Sequence, residues 1–275
     1  QGGRLARAHR ADQGRHLATR HLQRHAPEHG VFTVRKVHVA KFNQQSSSRS
    51  HAVMIGDAGT ITPMLRYETI PVTPFQQNAS LVWCDQTLKA AVIDPGGDLD
   101  TLIDEAKKRG LALEQIWLTH AHIDHAGGAG ELAQRLQLPI IGPHPGDQFW
   151  IDGLPQQSQM FGFPQAQAFK PTRWLQDGDT VSVGNCTLTV RHTPGHTPGH
   201  VVFYSADIQR AFVGDVLFAG SIGRTDFPQG DYDTLVASIT QRLWPMGDDT
   251  VFIPGHGPES TFGRERRTNP FVGGT

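Results

Sequence analysis

The segment EQIWLTHAHIDH (114–125) restricts this chain more than any other stretch. An apolar run with strand composition ends near Thr119, and four side chains able to hold a metal follow within six positions: His120, His122, Asp124 and His125. In an extended segment His120 and His122 project to the same side. Their imidazoles can then meet one ion at about 2.0 to 2.1 Å. The turn at Asp124 and His125 aims those two at a neighbouring position. The competing reading is a cluster of exposed or capping histidines on a strand-to-helix loop.

Three further strand ends weigh against that alternative. In RHTPGHTPGH (191–200) the tandem HTPG units contain His192, His196 and His200. Gly and Pro on both sides of His196 hold a tight turn, which suits a ligand; His192 and His200 are read as supporting hydrogen-bonding or packing residues. In FVGDVLF (212–218) Asp215 leaves a buried strand end and needs a partner, which a metal supplies. In FIPGHGP (252–258) His256 sits in a Gly and Pro turn after the last apolar strand. Five His and two carboxylates suffice for two ions with three terminal ligands each, bridged by one carboxylate and a water.

The order of elements predicts the scaffold. Strands are expected at 68–75, 80–84, 89–95, 114–120 and 139–142 in the first half, and at 179–184, 186–193, 200–205, 210–215 and 250–255 in the second. Helices are expected over DLDTLIDEAKKRG (98–110), near 129–136 and near 232–243. In the first, Leu102, Ile103, Ala106 and the stem of Lys107 form one face, Asp98 or Asp100 caps the start, and Gly110 ends it. Two β-rich halves with helices suggest an α/β protein of two sheets packed face to face with helices outside. The segment from Pro143 to Trp174, rich in aromatics, could shape a pocket, a dimer contact or the core.

Charge divides the chain. Residues 1–63 hold 10 Lys+Arg against 3 Asp+Glu, and the other 212 hold 15 against 23. The first stretch has few apolar residues and no clean period, so it is not expected to fold alone. The preferred reading is a disordered, non-native extension, with a transit peptide or a nucleic-acid-binding arm as alternatives. Seven His at irregular spacing there (His9, His16, His21, His25, His29, His38 and His51) do not suggest a preformed metal site. Residues 64–275 are expected to be the catalytic domain, whose negative balance speaks against a nucleic-acid partner. No apolar run approaches the roughly 18 to 20 residues of a membrane span, and Cys84 and Cys186 are read as free thiols in a reducing, cytoplasmic setting. Oligomeric state is not readable.

With HxHxDH, HTPGH, GDxLF and PGHGP in this order, the chain resembles the metallo-β-lactamase superfamily, and within it the short bacterial glyoxalase II-like hydroxyacylglutathione hydrolases. The resemblance covers about Arg66 to Phe271 and includes VIDPGGD and GRTDFPQGD. It implies an αββα sandwich of two mixed β-sheets with flanking helices. It implies two divalent ions, zinc with iron or manganese as alternatives: His120, His122 and His196 on the first, Asp124, His125 and His256 on the second, and Asp215 between them. Asp94 and His200 would support the ligands from beneath, and Arg224 would occupy a substrate-binding position. The longer glyoxalase II enzymes add a C-terminal helical domain that supplies part of the glutathione site; here 19 residues follow His256, with Arg264, Arg266 and Arg267 as a basic tail. Asp226 stands where the longer enzymes have an aromatic residue.

The implied activity is hydrolysis of glutathione thioesters such as S-lactoylglutathione, a step of methylglyoxal detoxification. Two cations about 3.5 to 4 Å apart bring the pKa of a bridging water towards about 7, which supplies a hydroxide nucleophile that Asp124 and Asp215 would orient. The partner is then a small-molecule thioester. The rival is a mononuclear iron persulfide dioxygenase, which shares HxHxDH and GRTDF but holds one iron with two His and one Asp.

Overall fold

The computed structural model describes residues 62–274. The expectations for the basic extension fall, up to residue 61, outside the described residues.

The first sheet contains β1 (Leu65–Val72), β2 (Gln77–Cys84), β3 (Lys89–Ile93), β4 (Ala112–Trp117) and β5 (Ile140–Ile141), side by side in that order. β1, β2 and β3 pair antiparallel, whereas β3, β4 and β5 pair parallel. Parallel neighbours need crossovers. Helix α1 (Leu99–Lys108) makes the first, and α2 (Ile123–Ala126) with α3 (Ala129–Leu136) makes the second. Helices α4 (Gln148–Asp152) and α5 (Leu154–Phe161) follow on the same side.

The second sheet contains β6 (Thr180–Val183), β7 (Cys186–His192), β8 (Val201–Ser205) and β9 (Arg210–Gly214). After a ribbon of β10 (Leu217–Phe218) and β11 (Ser221–Ile222) and helix α6 (Tyr232–Ser238), it is completed by β12 (Val251–Pro254) and β13 (Ser260–Thr261). Its order is 13-12-9-8-7-6, and β9–β12 is its one parallel pair. Helix α7 (Phe262–Thr268) closes the described elements.

The alternation of side chains along each strand builds three cores. Along β3 and β4, Ala91, Ile93 and Trp117 face the second sheet, while Val92, Ile116 and Leu118 face α1, α3 and α5. Along β8 and β9, Val201, Phe203 and Phe212 face the first sheet, while Val202, Ala211 and Val213 face α6 and α7. Strands buried on both faces read as continuous apolar runs. The result is the expected αββα layering.

Several local expectations are corrected. The first strand runs 65–72, because Thr73 adopts φ 64 and its carbonyl accepts the Gln76 N–H in a turn. Asp98 precedes α1 but does not cap it with its side chain; its carboxylate accepts the Thr73 N–H at 2.7 Å. Lys107 is exposed, and Leu99 completes the buried face instead. Gly110, at φ 68, ends the helix as expected. The helix expected over 232–243 widens to π geometry from Ile239.

The ends of β4, β9 and β12 meet at one edge of the sandwich. The Val201 N–H donates to the Thr119 carbonyl at 2.8 Å, the Gly255 N–H to Gly214 at 2.7 Å, and the Asn78 N–H to Gly255 at 2.7 Å. Four loops are thereby tied across the two sheets. No helix among the described residues is long and apolar enough to cross a membrane.

Candidate metal centre

His120 and His122 leave β4 together, and the loop after β7 brings His196 to them. Each of these three offers a ligand atom, all within 4.8 Å of one another. Asp124, His125 and His256 form a second such group, and Asp94, His120 and His125 a third. Asp215, one residue beyond β9, lies between the first two: its Oδ1 is 3.3 Å from His125 Nε2, and its Oδ2 is 3.7 Å from both His196 Nε2 and His256 Nε2. The seven residues expected as ligands therefore come together.

Hydrogen bonds on the far side of the rings fix which nitrogen faces inward. His196 Nδ1 donates to the Arg224 carbonyl at 2.7 Å, and His256 Nδ1 to the Phe75 carbonyl at 3.2 Å. His125 Nδ1 lies 3.0 Å from Asp94 Oδ2. Asp94 also accepts the Thr119 N–H at 2.7 Å and its hydroxyl at 2.5 Å, and Thr119 Oγ1 is 3.0 Å from His120 Nδ1. Asp94 thus lies beneath the loop. His200 stacks on His120 with centroids 4.8 Å apart and accepts the Asp215 N–H at 3.2 Å, so it packs and orients. His192 stacks instead on His144 and bonds the Pro198 carbonyl, away from the cluster.

The inward atoms fit a cation. Nε2 of His120 and His125 and Oδ1 of Asp215 are buried without a hydrogen-bond partner, and His122 turns its Nδ1 to 3.0 Å from His196 Nε2. Such atoms cost about 1 to 3 kcal/mol each unless something satisfies them, and nitrogen and carboxylate oxygen together form a ligand set for zinc, iron or manganese. Burial holds His120 and His122 well below the usual histidine range, so they present neutral lone pairs. Burial also pulls His125 down, yet the charges of Asp215 and Asp124 outweigh it and raise it well above its ordinary value. Burial opposes ionisation of Asp215, but the fields of His125, His196 and His256 hold its carboxyl below the usual range. That anionic field favours a metal cation at the same place.

Close backbone approach makes the cluster possible. A Cβ at Gly255 would lie 2.1 Å from Asp215 Oδ1 and 2.6 Å from His125 Cε1. At Gly214, with φ 48, a Cβ would meet Thr119 Oγ1 at 2.6 Å and His200 Nε2 at 2.7 Å.

Sequence reasoning assigned nothing to Asp147 or Gln77. Asp147 is fully buried and accepts the Ala121 N–H and the Thr197 hydroxyl at 2.9 Å each, and the Gly199 N–H at 2.6 Å. Gln77 is buried 3.4 Å from His125 Nδ1 and forms an isolated antiparallel bridge with His256. The signal available for Asp147 was a lone acid in the Pro-Gly turn of IIGPHPGDQF.

A cleft of about 640 Å³ opens onto the cluster, lined by His122, Asp124, His196, Asp215 and His256 at one end and mainly by aromatic side chains beyond. Trp150 and Phe161, from the segment read ambiguously above, are in its wall, whereas Ile151 and Leu154 enter the core. Arg224 lines the cleft, but Asp226 holds its guanidinium. Arg264, Arg266 and Arg267 do not line it; the last two pair with Asp248.

This fold and site are those of a metal-dependent hydrolase. The chain belongs to the metallo-β-lactamase superfamily, whose family model matches residues 72–256. It is 47% identical over 209 residues to hydroxyacylglutathione hydrolase GloC of Haemophilus influenzae, covering 76% of this chain and 98% of that protein. The crystal structure of BLEG-1 B3 metallo-β-lactamase superposes with a TM-score of 0.70 at 37% identity, covering 76% of this chain and all of the other. The crystal structure of TTHA1623 in a di-iron-bound form gives 0.68 at 38% identity, covering 74% and 99%.

Proposed function

We propose that the domain from residue 64 onward hydrolyses small-molecule thioesters at a two-metal centre, with S-lactoylglutathione as the reference substrate. The observation that carries this reading is the position of Asp215, between the triad His120, His122, His196 and the triad Asp124, His125, His256. The name of the GloC relative supports the substrate class. In this reading the first triad would hold one ion, the second triad the other, and Asp215 would serve both. Zinc suits the set, with iron or manganese as alternatives. Divalent ions there supply Lewis acidity, making hydroxide available at neutral pH and drawing charge from a carbonyl oxygen.

The chain's own residues do the rest. His196 and His256, each bonded through Nδ1 to a backbone carbonyl, turn Nε2 inward. Burial opposes ionisation of Asp124, but His125 and the 3.1 Å contact with His256 hold its carboxyl below the usual range. It therefore remains an acceptor able to orient an attacking water, and Asp215, whose carboxyl is likewise held below the usual range, does the same. Aromatic side chains line the cleft beside them. A thiol pKa of about 8.5 makes a thiolate a tolerable leaving group, so no side-chain acid is required.

The test is loss of thioester absorbance from S-lactoylglutathione with the metal-loaded full chain. Turnover abolished by a chelator and restored by metal is expected. Turnover that survives metal removal would overturn the reading.

A further inference from the structure

The cleft walls carry a charge pattern that the hydrolytic reading leaves unused. Phe75, Trp150, Phe161, Phe218, Ile222 and Phe227 line the cleft beyond the metal end. The wall starts at the reacting site itself: Trp150 and Phe227 pack edge-on or tilted against His122, with centroids 4.5 and 4.8 Å away. Gln157 spends both amide N–H groups within the protein, on the Trp150 carbonyl at 2.9 Å and the Ala121 carbonyl at 3.5 Å, and its oxygen accepts the Ile123 N–H at 3.0 Å. Apart from the histidines at the metal end, Arg224 is the cationic side chain among the lining residues.

That cation is already occupied. Arg224 Nε donates to Asp226 Oδ1 at 2.6 Å and Nη2 to Oδ2 at 2.6 Å, a two-pronged pairing that matches the guanidinium fork to a single carboxylate. The guanidinium carbon also sits 4.2 Å from the centroid of the Phe227 ring, which restrains it from a second direction. Phe227 is itself part of the cleft wall, so the pair borders the space a substrate would fill. A glutathione conjugate brings two carboxylates and one ammonium, and a carboxylate approaching Arg224 finds its Nε–Nη2 edge taken and its charge offset by Asp226.

We propose that the cleft is built for thioesters whose bulk is apolar and of aromatic size, and that Asp226 determines this specificity by keeping Arg224 from the carboxylates of an anionic thiol. The assignment rests on the cleft leading to the reacting site. Acyl groups with a phenyl or branched alkyl body fill it, and an uncharged thiol portion suits it better than glutathione does. S-Lactoylglutathione, small at the acyl end and anionic at the thiol end, is then a substrate held weakly.

The experiment measures binding, independently of turnover, with thioethers that cannot be hydrolysed. Dissociation constants of S-benzylglutathione, S-methylglutathione and S-benzyl-N-acetylcysteamine are determined by calorimetry on the metal-loaded full chain. The wild type should bind the neutral benzyl ligand at least as tightly as S-benzylglutathione. Replacing benzyl by methyl should weaken binding at least about tenfold, from the apolar area lost. Asp226→Asn should tighten S-benzylglutathione by about three- to fivefold, the scale of an exposed ion pair, without a comparable gain for the neutral ligand. The double variant R224Q/D226N should lose that gain. Tighter binding of S-benzylglutathione than of the neutral ligand by the wild type, or a D226N variant that loosens it or leaves it unchanged, overturns the assignment. These readouts separate the two claims: absent thioester hydrolysis with the binding preferences intact removes the catalytic reading alone, and hydrolysis with reversed preferences removes the specificity alone.

Discussion

The carboxylate of Asp147 accepts the backbone N–H of Ala121 at 2.9 Å, between the two histidines of HAH. Through the Thr197 hydroxyl and the Gly199 N–H, the same carboxylate holds the HTPGH turn. The two loops that carry His120, His122 and His196 are thus joined by one buried acid. Burial pushes its carboxyl up to about 7, against the three hydrogen bonds that lower it.

That shift fixes a pH dependence. The folded value lies above the unfolded value of about 3.9, so between about pH 4 and pH 7 the native state keeps a proton that the unfolded chain has released. The stability contributed by this group is lost as pH rises through that window. Denaturant unfolding of the metal-free protein should show that Asp147→Asn costs more at pH 5 than at pH 8, by roughly 2 to 3 kcal/mol. An equal cost at both pH values would contradict the assignment.

Asp215→Ala should remove the carboxylate between the two triads. Metal content per chain should fall and turnover should drop at least about a hundredfold, beyond the effect usual for supporting residues. Elemental analysis of the purified variant beside its kcat checks both. Near-normal rates with full metal content would take Asp215 out of the bridging position.

Gly255→Ala introduces a Cβ 2.1 Å from Asp215 Oδ1 and 2.6 Å from His125 Cε1. Neither neighbour can retreat without leaving the cluster. Metal affinity should fall by at least about tenfold, with destabilisation of about 1 to 3 kcal/mol from overpacking. Metal titration and thermal unfolding of the variant measure the two effects.

Asp94→Asn leaves the shape intact but disturbs the acceptor shared by His125 Nδ1, the Thr119 N–H and the Thr119 hydroxyl. Affinity for metal should drop about 10- to 100-fold. Competition with a chromophoric chelator gives the value directly, and an unchanged affinity would count against its supporting part.

The sequence made the ends of the strands legible because each potential ligand follows an apolar run and sits in a Gly, Pro or His-rich turn. His120, His196, Asp215 and His256 could be marked one by one for that reason. The supporting acid Asp147 was not legible, since its partners Ala121, Thr197 and Gly199 lie 26, 50 and 52 positions away and carry no periodic signal. Asp98 misled for a related reason: a cap and a carboxylate reaching back to Thr73 share the same local composition. The pairing of Arg224 with Asp226 lies two positions apart in GRTDF. Its consequence emerges only with the aromatic wall, which α4, α5 and the loop before α6 bring to the same cleft.

Titration of metal-free full-length protein with Zn²⁺, followed at once by thioester absorbance and dissolved oxygen, tests the central claim most directly. The account predicts S-lactoylglutathione hydrolysis that rises to a break at two ions per chain, with no oxygen consumed. Activity complete at one ion, or iron-dependent oxygen uptake with glutathione persulfide in place of hydrolysis, would contradict it.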